Sequence, residues 1–128
     1  MAHPTQKPTA SELEILQVLW TRGPSTVREV YEVLSEKRDM GYTSVLKLMQ
    51  IMTEKGSVRR NETQRAHVYE VCQPAEKTKR GLAADVLQRV FDGSASELMM
   101  HALAGHRASK EEIAELRRLL AEYERKQS

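Results

Sequence analysis

The stretch Tyr42-Thr43-Ser44-Val45-Leu46-Lys47-Leu48-Met49-Gln50-Ile51-Met52-Thr53-Glu54-Lys55-Gly56-Ser57-Val58-Arg59-Arg60-Asn61 changes its apolar period partway along. Over residues 43–55, Val45, Leu48, Met49 and Met52 recur at spacings of three and four, which at about 100° per residue puts them on one helical face. The opposite face carries Thr43, Leu46, Lys47, Gln50 and Glu54, with Ser44 on its flank. Gly56 stops the helix, because glycine accepts the left-handed conformation that commonly ends one. Beyond it the period falls to two. Residues 57–61 and 66–71 read as short strands joined by the polar turn Glu62-Thr63-Gln64-Arg65. The turn has no Asn-Gly or Asp-Gly pair, so the hairpin rests on strand alternation alone.

Upstream, a hydroxyl residue followed three positions later by Glu can satisfy two orphan backbone donors reciprocally and so marks a helix start. Thr9 with Glu12, Thr26 with Glu29, Ser94 with Glu97, and Ser109 with Glu112 all fit that pattern. A first helix over 10–20 carries Leu13, Leu16 and Trp20 and stops at Arg22-Gly23-Pro24. A second, over 27–37, carries Val27, Val30, Tyr31 and Leu34, and Asp39-Met40-Gly41 breaks it. After Cys72-Gln73-Pro74 the chain reads as helical to its end. A helix over 76–91 holds Leu82, Val86, Leu87 and Val90, one over 95–104 holds Leu98, Met99 and Leu103, and one over 110–125 holds Ile113, Leu116, Leu119, Leu120 and Tyr123.

The expected fold is therefore mainly α with a small β-hairpin. It comprises a disordered lead-in over 1–8, a winged helix-turn-helix over 9–73, and a helical dimerisation region over 74–128. Hydrophobic residues are 40% of the 128, enough for a modest core, and a three-helix unit of roughly 70 residues is marginal alone. The single cysteine, Cys72, allows no internal disulfide and fits a reducing compartment. No apolar run approaches the roughly 18 residues of a membrane span, and the first residues lack the apolar core of a signal peptide. A cytoplasmic protein with no membrane insertion is expected.

Three helices followed by a hairpin is the order of a winged helix, in which the third helix enters the DNA major groove and the hairpin lies over the sugar-phosphate backbone. A groove-reading face must be polar and small enough to reach base edges. Thr43, Ser44, Lys47 and Gln50 meet that demand, and Tyr42 opens the same helix. The net charge of +2 carries little information. The basic residues Arg59, Arg60 and Arg65 on the hairpin carry more, since Arg at those places faces phosphates.

Taken together, these features resemble the penicillinase-repressor group, the BlaI and MecI type of winged-helix regulators, over residues 9–122. The resemblance is carried by residues 9–20, TASELEILQVLW; by Tyr42-Thr43-Ser44-Val45-Leu46-Lys47-Leu48-Met49; by Glu54-Lys55-Gly56-Ser57-Val58; by His67-Val68-Tyr69; and by Ser109-Lys110-Glu111-Glu112-Ile113-Ala114-Glu115-Leu116. It implies a homodimeric repressor of an inverted-repeat operator whose C-terminal helices intertwine with those of a second copy. It also implies derepression by a sensor-linked protease that cuts the dimerisation region. The aligned bond is His101-Ala102, where those members carry an amide residue followed by an aromatic one. Leu46 stands where the family often has a polar residue, which implies a different operator.

The dimerisation residues are Leu82, Val86, Leu87, Val90, Leu98, Leu103, Ile113, Leu116, Leu119 and Leu120. They are too many apolar groups for a water-exposed tail of this length, and a second copy would cover them. An enzyme is not expected: no nucleophile elbow or glycine-rich phosphate loop occurs, and Cys72 reads as a small buried apolar residue. No metal or cofactor is expected, since His101 and His106 do not share a helical face and His3 and His67 have no neighbouring ligand. Met49, Met52, Met99 and Met100 read as core or dimer-seam fillers, and Arg117 and Arg118 as a solvated face. The alternative from another class is a winged-helix module that docks a protein through the third helix or the wing, without sequence-specific DNA binding.

Overall fold

The computed structural model describes residues 7–63 and 65–128, so most of the lead-in and Gln64 of the wing turn lie outside the described residues. The elements run α1 (Ala10–Arg22), β1 (Ser25–Thr26), α2 (Val27–Ser35), α3 (Tyr42–Lys55), β2 (Val58–Asn61), β3 (Val68–Val71), α4 (Ala75–Arg89), α5 (Ala95–Ala104) and α6 (Lys110–Gln127). This is a winged helix-turn-helix followed by three further helices. Two compact units divide between Leu82 and Ala83, within α4. The first runs on past the division expected after residue 73.

The first unit holds the core. Ile15, Leu16, Val18 and Leu19 of α1 pack with Val27, Val30 and Leu34 of α2 and Val45, Met49 and Met52 of α3; Val58 and Tyr69 close it from the sheet. On α2 and α3 the stripes read from the sequence are the faces that meet. On α1 the core face is Ile15, Leu16, Val18 and Leu19; of the expected stripe only Leu16 is buried, Leu13 and Trp20 packing at its margin because the true face is turned by part of a helical step. Met49 and Met52 are fully buried, as their place on the inward stripe predicts. Leu46, expected on the outward face, is instead half-buried and packed against this cluster, because it flanks the inward stripe closely enough for its side chain to fold over it.

The helices start where the pattern predicts, but only two of the four reciprocal boxes are complete. Thr9 and Thr26 make complete reciprocal caps with Glu12 and Glu29. Ser94 and Ser109 accept from the backbone N–H of Glu97 and Glu112. The Glu112 carboxylate, however, pairs with His106 at 2.8 Å. At the end of α3, Gly56 adopts φ 85°; its N–H reaches the Thr53 carbonyl at 3.2 Å and the Ser57 N–H reaches the Met52 carbonyl at 2.9 Å. This pair of hydrogen bonds, which needs a left-handed residue, turns the chain from α3 into the wing.

The sheet has three antiparallel strands in the order β1-β3-β2, one more than the hairpin read from the sequence. Ser25 pairs with Tyr69 and Thr26 with Val68. Thr26 thus ends one strand and caps the next helix, and Ser25, fully buried, donates its hydroxyl to the Gly23 carbonyl at 2.9 Å.

The second unit comprises the rest of α4 with α5 and α6. None of these three helices contains a buried residue. Among the described residues, no helix is long and apolar enough to cross a membrane.

Candidate nucleic-acid interface

α3 is anchored by Val45, Met49 and Met52, and this rotation turns Thr43, Ser44, Lys47 and Gln50 outward, all exposed. At about 100° per residue Thr43, Lys47 and Gln50 fall on one narrow line along the helix, and Ser44 stands to one side. Lys47 and Gln50 make no hydrogen bond or ion pair with other described residues. Their donors and acceptors are therefore free for an external partner, as base readout in a major groove requires. Gly41 caps α3 without a side-chain bond, so the N–H groups of the first turn are also unclaimed by a cap.

Tyr42 lies to the other side of this line and is 38% exposed. Its ring meets Tyr31 of α2 edge-on, with centroids 5.7 Å apart at 75°. The Arg28 guanidinium sits over the Tyr42 ring, 5.3 Å from its centroid. The sequence reading missed Arg28. Its spacing of three from Tyr31 was visible, but its approach to Tyr42 depends on how α2 and α3 pack.

The wing separates residues that the sequence grouped. Register places Arg59 opposite Glu70 and Arg60 opposite Tyr69. Side chains alternate along a strand, so Arg59 and Arg60 point to opposite faces of the hairpin. Val58 and Tyr69 are buried on the face that Arg60 shares. Arg59 Nε lies 2.6 Å from Glu70 Oε1, and this bond with the Glu70 charge holds its guanidinium above the ordinary arginine value. Arg60 bonds Glu62 at 2.6 Å, and its pKa is raised first by that bond and then by Tyr69. In the turn, Asn61 Oδ1 accepts from the Thr63 backbone N–H at 3.0 Å and from the Thr63 hydroxyl at 2.8 Å. This local loop supplies the turn chemistry that no Asn-Gly pair provides. Arg65 is exposed just beyond it.

Cys72 is exposed at the end of β3, not buried as expected, because its side chain follows the last paired residue and leaves the core face. Among the described residues, no group of three or more His, Cys, Asp or Glu is placed to hold a metal ion.

Along α4, α5 and α6 the expected seam residues are uncovered to differing degrees. Val90 is 67% exposed and Leu120 64%; Val86, Leu103, Ile113 and Leu119 are also exposed, and Leu82, Leu87, Leu98 and Leu116 half-buried. Met99 and Met100 are exposed as well. Ile113, Leu116, Leu119, Leu120 and Tyr123 fall within about 120° of one face of α6. Arg118 pairs with Glu115 and Glu122 along the same helix, while among the described residues no ion pair engages Arg117. His101 and Ala102 lie exposed inside α5, the His101 ring 5.7 Å from that of Phe91.

Comparison with known proteins matches residues 8–122 to the penicillinase repressor family. The transcriptional regulator BlaI of Mycobacterium tuberculosis is 36% identical over 115 residues, covering 88% of this chain and 82% of that protein. The methicillin resistance regulatory protein MecI of Staphylococcus aureus is 19% identical over 120 residues, 94% of this chain and 98% of its own. That of Mammaliicoccus sciuri is 20% identical over the same length.

Proposed function

Because this chain belongs to the penicillinase repressor family, whose matched members are transcriptional regulators and not enzymes, we propose that it represses transcription as a homodimer on an inverted-repeat DNA operator. In this reading α3 lies in the major groove. Thr43, Ser44, Lys47 and Gln50 face base edges or the flanking phosphates, and the wing holds the backbone. The observation that carries it is the unpaired polar line of Lys47 and Gln50 on a helix whose other face is locked into the core. Their place on the third helix of a winged helix-turn-helix supports the reading, since lysine donors and the glutamine amide can pair with base edges in a major groove.

The second copy follows from the uncovered apolar face of α6 and its neighbours. A two-fold dimer would set two α3 helices about 34 Å apart, the spacing of successive major grooves on one side of a duplex. A cut in the tail would separate the two chains and so release DNA. His101-Ala102, exposed but helical, would need local opening of α5 before a protease could engage it.

Operator selection from a random duplex library tests the reading. The wild type is expected to enrich a palindrome. Lys47→Ala and Gln50→Ala are each expected to relax the preference at the positions they read, by about 1–3 kcal/mol for a good bidentate contact. Enrichment of no sequence at all would point to protein docking instead. Unchanged preference in both variants would take base readout away from these two residues.

A further inference from the structure

Arg28 is distinguished by what it touches. Arg22 pairs with Glu29, Arg38 with Glu14, Arg59 with Glu70 and Arg60 with Glu62, so carboxylates already answer those four charges. Arg28 is exposed on the first turn of α2, and no ion pair engages it among the described residues. Its contact is the Tyr42 ring, 5.3 Å away. A ring face attracts a cation through its quadrupole without neutralising it. The guanidinium therefore keeps its full charge and its fork of N–H donors while losing some freedom to swing.

The ring is itself supported. Tyr42 is the first residue of α3, and it is braced edge-on by Tyr31, which is half-buried and packs on the core. Arg28 and Tyr31 stand three apart on α2, one above the other on the same face. A continuous line of contacts thus runs from the core through Tyr31 and Tyr42 to an unneutralised cation beside the start of the groove-reading helix.

We infer that Arg28, steadied by Tyr42, is a positioning residue that grips a phosphodiester of duplex DNA at the edge of the major groove and sets the angle at which α3 enters. This rests on the proposed reading of α3 as the DNA-contacting helix. The ligand follows from geometry and chemistry: the helix preceding the groove-reading helix crosses the DNA backbone, and a planar guanidinium matches a phosphate with two parallel bonds. Base edges are served by α3, so Arg28 adds affinity and orientation without a sequence preference of its own.

The experiment measures affinity of the full chain for a mixed-sequence duplex over a range of salt, with thermal unfolding as a check on each variant. Salt-dependent binding by the wild type is expected; its absence would overturn the DNA-binding reading itself. Arg28→Ala is expected to bind about tenfold more weakly, with a log–log salt slope shallower by about one unit for one lost phosphate contact. Arg28→Lys is expected to recover the slope but not all the affinity, since a lysine keeps the charge without the fork. Tyr42→Leu should weaken binding, and combining it with Arg28→Ala should cost less than the sum of the two. Wild-type binding with an unchanged slope in Arg28→Ala would overturn the phosphate grip. Strict additivity of the two substitutions would overturn the role of the ring.

Discussion

Lys55 Nζ lies 2.7 Å from Glu12 Oε1, and the same oxygen accepts the Thr9 backbone N–H at 3.0 Å. Glu12 is only 2% exposed. One carboxylate therefore completes the cap of α1 and clasps the last turn of α3, tying α3 to the start of the domain. The Lys55 ammonium also favours the negative end of its own helix.

Removing that carboxylate should loosen both elements together. Glu12→Ala is expected to destabilise the protein by about 2 kcal/mol, from a lost cap and a stranded lysine that can only partly turn to water. Glu12→Gln keeps an acceptor for the Thr9 N–H and should cost about half as much. Urea midpoints measure both. A Glu12→Ala variant as stable as wild type would mean the clasp is incidental.

Glu29 sets a pH dependence on the neighbouring element. Its carboxyl is held below its ordinary 4.5, chiefly by the Thr26 backbone N–H, with the Arg22 charge adding to this and partial desolvation opposing it. A carboxyl depressed on folding contributes stability that is fully present above 4.5 and is lost as pH falls through the folded value. Stability should therefore decline on acidification from that point downward. Glu29→Gln, which cannot titrate, should show a shallower decline in a series of melts at falling pH. Equal slopes for the two proteins would remove Glu29 from the acid response.

On the wing, Glu70 holds the Arg59 guanidinium that the proposed DNA contact would need. Glu70→Gln removes a carboxylate from the expected phosphate side and frees the guanidinium. Duplex affinity should rise by about twofold to fivefold, the span of an exposed ion pair. Arg59→Ala and Arg60→Ala should differ from one another, because the two side chains leave opposite faces of the hairpin. Fluorescence anisotropy at low salt measures all three; weaker binding by Glu70→Gln would show that the pair holds the wing in shape instead.

The tail should hold two copies together. Leu116→Glu combined with Leu119→Glu places charge in the apolar stripe of α6. The double variant is expected to run as a monomer in light scattering and to lose tight operator binding, while the winged helix keeps its melting transition. A wild-type monomer with tight operator binding, or a double variant that still pairs, would contradict the dimer.

The sequence by itself determined the features set by short-range pattern. The starts of α1 and α2 were legible because a capping box spans three residues, and the inward stripe of α3 because side chains three and four apart share a face. The hairpin was legible because Gly56 separates a period of 3.6 from a period of two. The outward set Thr43, Ser44, Lys47 and Gln50 follows from the same helical geometry. Only the tertiary structure decided what depends on residues far apart in the chain. β1 has two residues, too few to show an alternation, and exists because β3 passes beside it. Leu46 folds over the inward stripe, a choice that spacing alone leaves open. The Glu12–Lys55 clasp and the Arg28–Tyr42 stack join separate helices, and Arg59 and Arg60 acquire different partners only through strand register. The physical reason is common to all of these: local pattern sets which face each element turns inward, but a contact between elements is fixed by how their buried faces pack.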